Sequence, residues 1–117
     1  MNKILVSGLL AYDKIMDFPG KFSDHILPDK IHNLNVSFVT EDLTEHFGGC
    51  AGNIAYTLAL LEEKPIILSA AGKDFDPYKE HLKKLGLDLS FIKIIPFKLT
   101  STATIMADKG DNQISAV

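Results

Sequence analysis

Two nearly continuous apolar runs, KILVS at 3–7 and PIILSAA at 65–71, constrain this chain more than anything else in it. Each is closed by a glycine, Gly8 and Gly72. Strands that are apolar without alternation are covered on both faces, as in parallel sheets. Parallel neighbours need a long crossover, usually through a helix. A helical pattern precedes the second run. Over 53–61, Ile54, Leu58 and Leu61 share one face, with Ala55 and Ala59 beside them, until Lys64-Pro65 interrupts. A second helix follows Gly72. Asp76 is placed to cap it, Pro77 suits its first turn, Tyr78, Leu82 and Leu85 line one side, and Gly86 can end it. Residues 89–95 predict a third strand. Residues 102–107 and 113–117 flank DKGDN as a hairpin. The order is α/β with parallel crossovers.

Residues 21–47 differ in style. Ile15, Met16 and Phe18 continue as a short strand, Pro19-Gly20 marks a turn, and LNVSFVT at 34–40 alternates, with Leu34, Val36, Phe38 and Thr40 on one face. That alternation predicts a half-exposed antiparallel strand in a small accessory sheet inserted after the first strand.

The chain has 117 residues, 46% apolar and 23% charged, with a net charge of −3. This is globular composition, and it favours neither nucleic acid nor an anionic membrane as partner. A single cysteine, Cys50, excludes a disulfide framework within the chain and fits a reducing, cytoplasmic compartment. The start, MNKILVSGLLA, lacks a small-x-small cleavage site and is followed at once by Tyr12, Asp13 and Lys14, so a buried strand is the better reading than a signal peptide. The sequon Asn35-Val36-Ser37 has meaning only in a secreted protein. The sequence stops within the strand-like run QISAV, which leads us to expect the N-terminal part of a longer protein.

Chemistry points to HFGGCAGN at 46–53. Gly48, Gly49 and Gly52 let backbone approach a ligand closely or take positive φ. The helix that follows offers unpaired N–H groups to the same space, and Asn53 adds a donor and an acceptor. The same spacing also fits a tight loop packed under a helix. Asp13 lies just beyond the carboxyl end of the first strand, where open α/β sheets bind ligands, and its carboxylate suits paired sugar hydroxyls. A solvated turn aspartate is the plainer alternative. Competing motifs fail. No G-x-G-x-x-G occurs, Asp74 follows Gly72-Lys73 where a P-loop needs Ser or Thr, and Asp108, Asp111 and Asn112 lack EF-hand spacing. The four histidines form no metal-ligand pair, and Cys50 reads as a small packing residue rather than a nucleophile.

At these residues the sequence resembles the ribokinase-like, or PfkB, family of carbohydrate and nucleoside kinases. VSGLLAYD at 6–13, GGCAGN at 48–53, SAAGKD at 69–74, LGLDLSFI at 85–92 and TSTATIMADKGDNQI at 100–114 follow in the family's order. The resemblance implies a doubly wound α/β sheet, of which residues 1–117 are the N-terminal portion. It implies a small β-sheet lid at about 15–47, which in many members also mediates a homodimer. The implied activity is transfer of the γ-phosphoryl of ATP, with Mg²⁺, to a hydroxyl of a sugar or nucleoside. Carried onto this chain, the substrate contacts are Asp13, Gly48, Gly49 and Asn53, with Phe38 of the lid against a base or sugar ring.

The family's Gly-Ala-Gly-Asp stretch, which supplies the phosphate anion hole and the catalytic aspartate, does not occur here. The ATP-binding part is absent with it. The expectation is therefore a substrate-binding half without a catalytic residue or metal site, inactive alone. Residues 22–38, the helix at 52–61 and the small Ala11, where ribokinase-like members carry a polar sugar-reading residue, resemble adenosine-kinase-like members more than ribokinase itself. A non-catalytic nucleoside- or sugar-binding or interaction module is the alternative.

Overall fold

The computed structural model describes residues 3–117. The elements run β1 Leu5–Ser7, β2 Ala11–Asp17, two short 3-10 helices Phe22–Asp24 and Pro28–Asn33, β3 Asp42–Gly48, α1 Cys50–Leu60, β4 Ile66–Gly72, α2 Asp76–Lys84, β5 Ile92–Ile95, β6 Ser101–Ala107 and β7 Gln113–Ala116. The α/β order expected from the apolar runs is present. The chain divides into two compact units, one formed by the chain up to Tyr12 and by His46–Thr102, the other by Asp13–Glu45 and Ala103–Val117. Strands β1, β4 and β5 form a sheet in the order β1-β4-β5; a second sheet has the order β3-β2-β6-β7.

In the first unit both pairings are parallel, with Val6 beside Ile67 and Ala71 beside Ile94. Val6, Leu10, Ile67 and Ala71 join Ala51, Ala55, Tyr78 and Leu82 from the two helices in one buried core. The helix α1 departs from its sequence reading in two ways. It starts at Cys50, so Gly52 lies inside it, and its small residues Ala51, Gly52 and Ala55 are the buried ones. Ile54 and Leu61, expected on the core face, are 51% and 68% exposed. Close approach decides this: a Cβ on Gly52 would lie 1.7 Å from the Tyr78 hydroxyl, so bulk has no room on that side.

The helix α2 ends as anticipated. Gly86 has φ +75°, its N–H donates to the Lys83 carbonyl, and the Leu87 N–H donates to that of Leu82. This is a Schellman stop with Leu87 returned to the core. At its other end Asp76 is not the cap. Phe75 holds that position, no side chain caps the turn, and Asp76 is the first helical residue. Its charge still favours the amino end of the helix.

The second unit corrects the insertion. Residues 34–40 are irregular, not a strand, and the strand lies later, at β3. Phe38 turns its ring edge-on to Phe18 at 4.9 Å and Phe22 at 5.0 Å, with His25 beside them. Val39, meanwhile, is 83% exposed. Alternation in sequence makes a strand only where a neighbouring strand can pair with it, and here one ring cluster takes the apolar residue instead. The hairpin is as expected: β6 and β7 pair antiparallel, with Ala107 opposite Gln113.

Asp108 opens that hairpin turn and is buried. Its carboxylate accepts N–H bonds from Phe22 and Gly110 at 2.8 Å and from Asn112 at 2.9 Å. Burial pushes its pKa up, but the backbone donors and the Asn112 amide outweigh that and hold it below the usual carboxylate value. A lowered carboxylate stabilises the fold above the unfolded pKa and loses that contribution as the pH falls through the folded one. The stability difference between the chain and Asp108→Asn should therefore be largest near neutrality and shrink as the pH falls through and below the usual carboxylate range, as urea unfolding at a series of pH values would show.

Candidate functional site

The glycine turn between β3 and α1 is built by backbone crowding. Gly49 has φ +85° and ψ 147°, and a Cβ there would lie 2.3 Å from the Leu9 carbonyl oxygen and 2.9 Å from the Ala11 nitrogen. Neither neighbour can give way, because both are main chain. Only glycine fits. The Leu9–Ala11 backbone thus runs against the start of α1, and the Ala51 N–H donates to the Leu9 carbonyl at 3.0 Å. Cys50 is exposed rather than a packing residue, and its Sγ accepts the Leu9 N–H at 3.4 Å.

Gly48 is buried, and its carbonyl accepts the Tyr78 hydroxyl at 2.7 Å. Asn53 donates its backbone N–H to the Gly49 carbonyl at 3.0 Å as part of the first turn of α1. Its side chain is exposed and lines a small hollow of about 270 Å³ with His46, Phe47, Tyr56 and His81. Gly48, Gly49 and Asn53 are therefore gathered at one turn. Asp13 and Phe38 belong to the other unit, Asp13 half-buried on β2 and Phe38 in the ring cluster.

Beside the turn, Gly8 and Leu9 line an open cleft of about 570 Å³ at the carboxyl ends of β1 and β4, with Ser7, Ser69, Lys98 and Thr100. The Ser69 hydroxyl donates to the Gly8 carbonyl. Open parallel sheets hold ligands at these strand ends. Hydroxyls and main-chain groups there suit a polar ligand rich in hydroxyls.

Tyr12, Gly72, Asp74 and Thr100 brace this end of the sheet. Asp74 accepts the Thr100 N–H at 2.7 Å, and its own carbonyl accepts the Tyr12 hydroxyl at 2.8 Å. The Thr100 hydroxyl accepts the Gly72 N–H at 2.9 Å. A Cβ on Gly72 would lie 2.3 Å from the Thr100 nitrogen, so this glycine too marks a backbone crossing. Tyr78 could have been found from sequence: a tyrosine on a buried helix face needs a partner for its O–H.

An α/β chain with parallel strands and a glycine turn that opens a helix at the strand ends belongs to a definite class: residues 9–117 match the pfkB family of carbohydrate kinases, and the chain is a member of it. Among its relatives, the nucleoside kinase of Methanothermobacter thermautotrophicus is 32% identical over 114 residues, which is 96% of this chain and 34% of that protein. The structure of the nucleoside kinase of Burkholderia thailandensis in complex with inosine is similar, with TM-score 0.80 and 38% identity over 97% of this chain and 35% of that one. That of the Methanocaldococcus jannaschii nucleoside kinase, an archaeal member of the ribokinase family, has TM-score 0.82 and 29% identity over 99% and 36%. The chain spans about a third of the length of these relatives. Among the described residues no three His, Cys, Asp or Glu side chains gather as a metal-ligand set. No helix among them is long and apolar enough to cross a membrane.

Gly49→Ala places a methyl group against fixed main chain at a positive φ. We expect it to destabilise the chain by at least about 1–3 kcal/mol, read as a lower urea midpoint with an unchanged slope.

Proposed function

We propose that this chain is the substrate-binding part of an ATP-dependent kinase that phosphorylates a hydroxyl of a purine nucleoside of the adenosine or inosine type. The observation that carries the reading is the pfkB match over residues 9–117, with the glycine turn in the form only glycine can take. The nucleoside is favoured over a free sugar because relatives at 29–38% identity are nucleoside kinases, one solved with inosine.

In this reading Asp13 accepts hydrogen bonds from ribose hydroxyls, Asn53 donates and accepts, and the Gly48–Gly49 main chain approaches without side-chain obstruction. The segment at about 15–47 acts as a lid that excludes water, which would otherwise compete as phosphoryl acceptor. Phe38 faces the base from it, and the lid is the surface through which two copies would pair. ATP supplies the phosphoryl group and Mg²⁺ neutralises its charge. The phosphate hole and the catalytic base are assigned to a Gly-Ala-Gly-Asp stretch that does not occur in this sequence. The cytoplasm, which supplies ATP and keeps Cys50 reduced, is the proposed compartment.

Calorimetric titration of residues 1–117 with inosine, adenosine, ribose and fructose 6-phosphate tests the reading. A nucleoside should bind most tightly, and Asp13→Asn and Asn53→Ala should each weaken it about 10- to 100-fold. Incubated with ATP and nucleoside, the chain alone should transfer no phosphate. Binding of the sugars in preference to nucleosides, or robust phosphorylation by residues 1–117, would contradict it. Failure to bind any of the four would favour an interaction module.

A further inference from the structure

We propose that Tyr78 is a positioning residue for substrate, acting through the Gly48–Gly49 peptide; the inference rests on the glycine turn being the nucleoside-binding turn. Tyr78 stands on α2, is buried, and donates its hydroxyl to the Gly48 carbonyl at 2.7 Å. No described peptide bond is cis. In a planar trans peptide the carbonyl and the following N–H point to opposite sides. A hydroxyl that fixes the Gly48 carbonyl on the α2 side therefore fixes the Gly49 N–H on the other. Glycine has the widest backbone freedom of any residue, so a hydrogen bond to the carbonyl between two successive glycines helps to fix the plane of their peptide.

The third glycine of the run fits the same device. A Cβ on residue 52 would lie 1.7 Å from the Tyr78 hydroxyl and 2.9 Å from its ring carbon Cζ. Gly52 sits within α1, where glycine is less favourable than alanine. What its missing side chain provides is the channel through which the tyrosine hydroxyl reaches Gly48. Two of the glycines thus form the turn, and the third admits the group that orients it. The substrate group this arrangement selects is a sugar hydroxyl able to accept from the Gly49 N–H.

The test is Tyr78→Phe, which removes one oxygen and keeps the ring, with Gly52→Ala as an independent second variant. Amide spectra of the ligand-free chain should show the Gly49 resonance displaced in both, with the signals of β5 unmoved. Affinities for inosine, 2′-deoxyinosine and 3′-deoxyinosine should then show a selective loss. Inosine binding should weaken at least about 10-fold, while binding of the analogue that lacks the positioned hydroxyl stays unchanged. A tyrosine serving only stability would lower the affinity for all three nucleosides alike or for none, and either result overturns the inference while leaving nucleoside binding itself intact. If the unmutated chain binds none of the three, the functional reading fails and the inference with it.

Discussion

The Leu9 carbonyl oxygen lies where a side chain of residue 49 would begin, and much of the first unit depends on that close passage. It requires glycine at 49, sets the turn's positive φ, and holds the start of α1 through the Ala51 N–H. The helix is thereby brought so near the first strand and α2 that its fully buried residues are the small Ala51, Gly52 and Ala55, with Leu58 and Ala59 packed at the margin. A Cβ at Gly8 would meet the Cys50 Sγ at 2.7 Å, so the crowding extends to the glycine that closes β1. Ile54 and Leu60 of α1 are left outward, while Leu58 packs half-buried at the margin of the core.

A second crossing braces the far side of the same strand ends. Gly72 passes beneath the Leu99–Thr100 main chain, and Asp74 and the Thr100 hydroxyl exchange hydrogen bonds with backbone N–H groups across it. Buried main-chain groups must find partners, and here two short polar side chains supply them where no strand does. Both crossings lie at the carboxyl ends of parallel strands, beside the cleft lined by Ser7, Ser69 and Thr100.

The second unit is held differently. A cluster of Phe18, Phe22, His25 and Phe38 packs ring on ring, Phe18 and Phe22 stacked at 5.7 Å. Asp108 ties the Phe22 backbone to the hairpin turn. Residues 34–40 alternate with period two, as a strand would, but alternation records only which residues are apolar. It carries no information on whether a partner strand is in reach. The strand β3, by contrast, holds Asp42, Thr44, Glu45 and His46, residues that look like loop. A strand of that composition forms because β2 is there to pair with.

The amino-acid sequence by itself determined the α/β order, the parallel character of the buried strands, the glycine-closed second helix and the hairpin at DKGDN. These follow from local patterning, since continuous apolar runs, capping glycines and turn residues act within a few positions of themselves. It also singled out the glycine turn and its family. Tertiary structure alone decided which face of α1 is buried, why the third glycine is a glycine, and that Tyr78, Asp74 and Asp108 spend their polar atoms on distant backbone. Those outcomes depend on how closely two segments remote in sequence approach, and that clearance is written in no single stretch of the chain.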